Sequence, residues 1–391
     1  MPSLRLLCTL ACGLSTSLLE AAPLFPEDGS LRARSWWAAS TLFTPLVNRT
    51  RLEAALEREG VETRDLRSNY EWSQDLSLFD ERGRFLIQAP MPEIEEILTG
   101  LTMGIFNLSD DFPSLRRLNA GDLQSLGLAY ERLEHVVVEG GEMIAGRKSD
   151  GRPYVILTKD VVERTRRFKA HLRGQDVDIR EARLGVAKDL RVAETDLHVV
   201  DFGGHIDLVM QAFPGGTILI DDPRLATQTL IRARSQSNLR EYEASALDRM
   251  ILLHERGHLR YYSKDAPSEI RGKPMGPPTS LFSEHEITRL DLVAQELTNA
   301  GFRVIRVAGR FWDAEPGDWS PRMRSNFLNG AVGRNVKDKI FVLSNSARGL
   351  DSLEDDWRRT LAVLDVAPEH VHFPGYSDST SGFDCIGSLA P

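Results

Sequence analysis

The stretch GGHIDLVMQAFPGGTILIDDP, residues 203–223, reads as a β-hairpin: HIDLVM and TILID are apolar strands, and Pro214-Gly215-Gly216 turns the chain between them. The same design recurs along the chain. YEWSQDLSLFDERGRFLIQAP (70–90) pairs DLSLF with RFLIQ across DERG. EGGEMIAGRKSDGRPYVILT (139–158) pairs EMIAG with YVILT across Ser149-Asp150-Gly151. NFLNGAVGRNVKDKIFVLSN (326–345) turns at Lys337-Asp338-Lys339, and SGFDCIGSLAP (381–391) is a truncated copy. Helical periodicity fills the gaps, in MPEIEEILTGLTMGI, NLREYEASALDRMILLHERGHLRYY, ITRLDLVAQELTNAGF and LEDDWRRTLAVLDV. Gly301 ends the third of these as a C-cap and leads into the strand VIRVAG. Strands alternating with helices predict an α/β fold.

The chain has 391 residues, 41% hydrophobic and 27% charged, enough to bury a sizeable core without staples. Its net charge of −9 argues against nucleic acid as the main partner and is compatible with a cationic one. MPSLRLLCTLACGLSTSLLEAAP begins with one basic residue, then an apolar run, then Ala21-Ala22, and reads as a signal peptide over residues 1–22. The domain is then expected over 30–391 and the protein is expected to be exported; a cytoplasmic protein is the alternative. No later segment reaches the roughly 18 uninterrupted apolar residues of a membrane span. The sequence carries no signal of oligomeric state. Of three cysteines, Cys8 and Cys12 lie in that leader, which leaves Cys385 alone in the processed chain.

The positions that open the hairpins' first strands carry Asp75, Glu139, His205 with Asp207, Asn329 and Cys385. On a strand, His205 and Asp207 share a face because side chains alternate. Hairpins packed around a common axis would bring these residues into one central site from distant parts of the sequence.

The ordered set Asp75, Glu139-Gly140-Gly141, His205-Ile206-Asp207 and a C-terminal Cys385 resembles the guanidino-group-modifying (pentein) superfamily. Its motif layout is most similar to arginine, agmatine and peptidylarginine deiminases. The resemblance implies a five-bladed pseudo-symmetric α/β propeller of ββαβ-like units. It also implies hydrolysis of an arginine-type guanidinium, free or peptide-bound, to a ureido group and ammonia, with no cofactor. The residue types suit that chemistry. A guanidinium is planar and always protonated, and paired carboxylates grip its N–H groups. By resemblance, Asp75 and Asp207 hold the substrate, with Asn329 beside them. Cys385 attacks as a thiolate, giving a covalent thiouronium, and His205 moves the protons. Glu139 orients His205 or contacts the guanidinium. Arg147, Arg152 and Arg334 are candidates to meet a substrate carboxylate.

Three other readings compete. An amidinotransferase would pass the same intermediate to an amine, and a non-catalytic relative would only bind guanidinium. The third is a zinc hydrolase, since His254-Glu255-Arg256-Gly257-His258 matches H-E-x-x-H on a predicted helix, with His285-Glu286 nearest as a source of a third ligand. Within the pentein reading, that helix face is simply solvated.

Overall fold

The computed structural model describes residues 22–38, 49–65, 78–87, 120–136, 138, 140–260, 284–314, 321–375 and 387–391. Asp75, Glu139 and Cys385 lie outside the described residues, as does the MPEIEEILTGLTMGI helix.

The chain begins with β1 (Asp28–Arg32) and β2 (Ser35–Ala38), then helix Arg49–Glu59 and β3 (Glu62–Asp65). β4 (Leu78–Phe79), β5 (Phe85–Ile87) and β6 (Tyr130–Arg132) follow. β7 (Met143–Arg147) and β8 (Pro153–Thr158) are joined to β9 (Leu197–Val200) by helices Lys159–Arg173 and Ile179–Asp189. β10 (Met210–Phe213) and β11 (Thr217–Asp221) reach β12 (Arg303–Val307) through helices Pro223–Arg234, Glu241–Arg260 and Glu284–Asn299. A separate hairpin, β13 (Arg310–Ala314) with β14 (Pro321–Asn326), comes next. β15 (Ala331–Arg334), β16 (Ile340–Asn345), helix Asp351–Ala362, β17 (Val371–Gly375) and β18 (Gly387–Ala390) complete the order.

Among the described residues, five sheets share one plan. A first strand pairs antiparallel with a second, and the second pairs in parallel with a third. The sheets are β4-β5-β6, β7-β8-β9, β10-β11-β12, β15-β16-β17 and β18-β2-β3. A parallel partner needs a crossover of a dozen or more residues, and the helices named above supply it between β2 and β3, β8 and β9, β11 and β12, and β16 and β17. The fold is therefore α/β with mixed sheets. The middle strands, flanked on both sides, are the most apolar: Val155–Leu157, Ile218–Ile220 and Phe341–Leu343 are fully buried.

The first strands meet in the middle. Leu78 and Phe79, Met143 to Ala145, Met210 to Ala212, Ala331 and Val332, and Ser388 and Leu389 line one narrow cavity. Residues 22–33 run beside it and occupy the open edges of β4, β7 and β15. Phe25 N–H donates to the carbonyl of Phe79 (2.8 Å), Glu27 N–H to that of Ala145 (2.9 Å) and Ala33 N–H to that of Arg334 (2.9 Å). β1 also pairs in parallel with β15.

The sequence reading needs one correction here. HIDLVM is not a strand: residues 205–209 form a turn, and β10 starts at Met210. The alternation of polar and apolar residues mimics a strand, but Val209 and Met210 N–H both donate to the carbonyl of Ile206 and close the turn. The β13–β14 hairpin had no clear sequence signal; its register is broken by a bulge between Phe311 and Trp312.

A buried carboxylate ties two units together. Glu59, at the end of helix Arg49–Glu59, accepts from Asn335 Nδ2 (2.6 Å), His372 Nε2 (2.6 Å) and His370 Nδ1 (2.9 Å). Burial alone would raise its pKa, but the bonds from His372, His370 and Asn335 outweigh it and hold the carboxylate at about 2, against an ordinary 4.5. A depressed folded-state pKa contributes stability above the ordinary value, and that contribution is lost as pH falls from 4.5 toward 2. Glu59→Gln is expected to cost about 1–3 kcal/mol at neutral pH and to flatten the acid limb of stability in that window, read by urea titration across pH.

Candidate active site

Three of the turns that precede first strands come together. The first is the short 3-10 turn Gly140–Glu142 before β7, the second is residues 205–209 before β10, and the third is residues 327–330 before β15. Side-chain amides sew the last two to each other. Asn326 Nδ2 donates to the carbonyl of Leu208 (3.1 Å), and Gln211 Nε2 to the carbonyl of Gly330 (2.7 Å). Asn326 Oδ1 accepts from Leu328 and Asn329 N–H, and Asn345 Nδ2 donates to the carbonyl of Asn326 (2.8 Å). This buried amide network fixes the turns without any regular ladder.

Asp207 lies at their meeting point and is 1% exposed. Its Oδ2 accepts from Asn329 Nδ2 (2.7 Å), and its main-chain N–H donates to the carbonyl of Gly141 (3.2 Å). His205 Nδ1 stands 3.8 Å from Oδ1 of Asp207, and the imidazole is about one-third exposed (33%). A buried carboxylate thus sits beside an accessible imidazole, an arrangement suited to gripping a cation and moving protons next to it.

The glycine at 141 has a specific reason. A Cβ there would lie 2.2 Å from His205 Nδ1 and 2.9 Å from Asp207 Oδ1. Only a residue without a side chain lets this turn approach the pair so closely.

The structure therefore brings together His205, Asp207, Asn329 and the glycines after Glu139. The amide residues Asn326, Asn345 and Gln211 were missed. Two of them frame the first and last positions of NFLNGAVGRNVKDKIFVLSN, a polar bracket around apolar strands that signals buried polar satisfaction rather than catalysis.

The H-E-x-x-H segment has a structural use. His254 is 1% exposed, and its Nε2 accepts the main-chain N–H of Trp312 (3.1 Å). It is a core histidine, which corrects the expectation of a solvated helix face at that position. That nitrogen is committed to the backbone of β13 and is not available to a metal. Glu286, the nearby carboxylate, accepts from buried Arg310 Nη2 (3.0 Å), whose Nε bonds Asp221 (2.8 Å). The side chains of Glu255, His258 and His285 lie outside the described residues. The three arginines weighed for a substrate carboxylate are engaged as well. Arg147 pairs with Glu81 and Gly151, Arg152 with Asp150, and Arg334 with the carbonyls of Gly29 and Asp338.

No protein-family model matches the sequence, and no characterised protein matches it by sequence. Solved structures do match. A substrate-bound cysteine-to-serine variant of agmatine deiminase from C. jejuni is similar over 95% of this chain and 96% of its own, with a TM-score of 0.50 and 9% identity. A cysteine-to-serine variant of DDAH from Pseudomonas aeruginosa, complexed with citrulline, covers 92% of this chain and 100% of its own, with a TM-score of 0.38 and 11% identity. Both neighbours are guanidino-modifying enzymes of the pentein superfamily, the group that the sequence motifs resemble. The likeness to agmatine deiminase is one of fold.

Gly141→Ala is expected to expel the His205 ring from its place while that partly exposed side chain absorbs the displacement. The His205 ring resonances should move in NMR spectra, and the thermal midpoint should fall by only a few degrees. An unmoved His205 spectrum would contradict the close packing of this turn.

Proposed function

We propose that this chain is a guanidine hydrolase of the deiminase type, working within a closed five-bladed α/β propeller. The observation that carries the reading is the convergence of Gly141, His205, Asp207 and Asn329 from three pre-strand turns. Asp75 and Cys385 stand in the sequence just ahead of β4 and β18, the matching place in two more units, and Glu139 directly precedes the Gly140–Glu142 turn. The fold shared with agmatine deiminase, whose cysteine-to-serine variant holds its substrate, supports the same assignment.

In this mechanism Asp207, held by Asn329, and Asp75 grip the guanidinium N–H groups. The Cys385 thiolate attacks the guanidinium carbon, forming a C–S bond. The tetrahedral adduct collapses with loss of ammonia, the departing nitrogen taking its proton from His205. His205 then removes a proton from water, which attacks the thiouronium carbon. The C–S bond breaks, and the thiolate and a ureido product leave. Arg147, Arg152 and Arg334 are spoken for, which favours a substrate without a free α-carboxylate, either agmatine or an internal peptidyl arginine. The reading includes export through residues 1–22.

The test is ureido product from the full chain offered arginine, agmatine and an internal peptidyl arginine, with and without a chelator. Product is expected from agmatine or the peptide in preference to free arginine and should survive chelation. Cys385→Ala should lower it by on the order of 10³-fold or more. An amidino group passed to an added amine, with no ureido product, would replace the hydrolase with a transferase.

A further inference from the structure

The turn that carries Gly141 is held from behind by a buried ion pair. Glu142, the last residue of the Gly140–Glu142 turn, is 3% exposed, and its Oε2 accepts from Nη2 of Arg164. The arginine side chain is itself largely buried. Strand register explains the meeting. Met143 pairs with Leu157, so β8 ends beside the point where β7 begins, and helix Lys159–Arg173 starts directly after β8. Arg164 stands in the second turn of that helix. Val161 and Val162 of the same helix pack with Met143, Val155 and Leu157 in one apolar cluster, so the guanidinium is presented from a fixed element. Glu163, its chain neighbour, is engaged by Arg166 and Arg167.

From Glu142 the connection to the site is one residue long. The carbonyl of Gly141 accepts the Asp207 N–H (3.2 Å). The ring of His205 lies so close to Gly141 that a Cβ there would meet Nδ1 at 2.2 Å. Asp207 therefore rests on this turn through its main chain, and His205 through its ring.

We propose that Arg164 is a positioning residue of this site: by holding Glu142 it sets the turn against which His205 and Asp207 are placed. This rests on the reading of those two residues as groups that act on a guanidinium.

The physics of buried pairs favours a role in geometry over one in stability. Two charges taken out of water lose their hydration, and their attraction does little more than offset that loss. Apolar residues of the same volume commonly serve a fold as well or better. What they do not supply is direction. A charge-assisted bond fixes where the Glu142 carboxylate lies, and the short turn follows its side chain. Nδ1 of His205 and Oδ1 of Asp207 are 3.8 Å apart, too far for a hydrogen bond to set their separation. The turns that carry them set it instead. A displacement of about 1 Å at such a site costs on the order of 10²-fold in rate.

Removing one partner strands the other as a buried charge, so the decisive variant changes both, Glu142→Leu with Arg164→Met in the full chain. Its thermal midpoint should stay within a few degrees of the unaltered protein. Ureido formation from agmatine, arginine and an internal peptidyl arginine is then compared. On any of them that turns over, kcat should fall on the order of 10²-fold while KM changes much less. The His205 ring resonances should move in NMR spectra, a change that lowered stability alone does not produce. Arg164→Lys, which keeps a cation for Glu142, should lie between the two proteins in both readouts. A folded double variant with unaltered kcat, or with unmoved His205 resonances, overturns the proposal and leaves the guanidinium reading standing. Should the double variant not fold, Arg164→Lys decides: kcat and His205 resonances both unchanged overturn the proposal. If the unaltered chain forms no ureido product from any of the three, the guanidinium reading falls, and the His205 resonances alone decide whether the pair positions this site.

Discussion

Within the shared plan each first strand pairs with one strand of its own unit, and among the described residues only β15 has a second strand partner, β1. The other edge of a first strand presents backbone N–H and C=O groups that must find partners, since buried and unanswered they cost free energy and exposed they invite aggregation. Here those edges face inward, and residues 22–33 thread between them, bonding in turn to Phe79, Ala145, Val332 and Arg334. Apart from β18, which joins β2 and β3, the strands of each of the five sheets are consecutive in the chain. The common lining of one cavity and this shared strand are what make them parts of one interior rather than a row of separate units.

The site follows from that constraint. A strand that begins at the middle must be preceded by a turn, and the turn's side chains are the ones that look across at the other units. Asp207, Asn329 and Gly141 occupy such turns, and a buried carboxylate survives there because an amide and a fixed geometry answer it. The apolar strands below hold the turns rigid. The amides of Asn326, Gln211 and Asn345 remove the remaining freedom.

Much of this was legible in the sequence because local chemistry and tertiary structure agree. Ser149-Asp150-Gly151 makes a turn wherever it stands between apolar runs, and YVILT is a central strand as its β-branched residues suggest. The residue types at 205, 207 and 329 announced a site, while the conformation at 205–209 did not follow from its alternating pattern. There, bonds to the carbonyls of Ile206 and Leu208, the second from a residue more than a hundred positions away, override the pattern. His254 shows the opposite failure. A spacing suited to zinc arises because a buried histidine caps the backbone of β13, and no local feature separates the two uses.

The sheet formed by β18, β2 and β3 joins Ala38 to Gly387 and Trp36 to Leu389. β2 and β3 stand far ahead of β18 in the chain. Pairing at that sequence separation is among the slowest contacts a chain can form. During synthesis β2 and β3 are therefore available to each other long before their third member exists, and this sheet is the one whose completion waits longest.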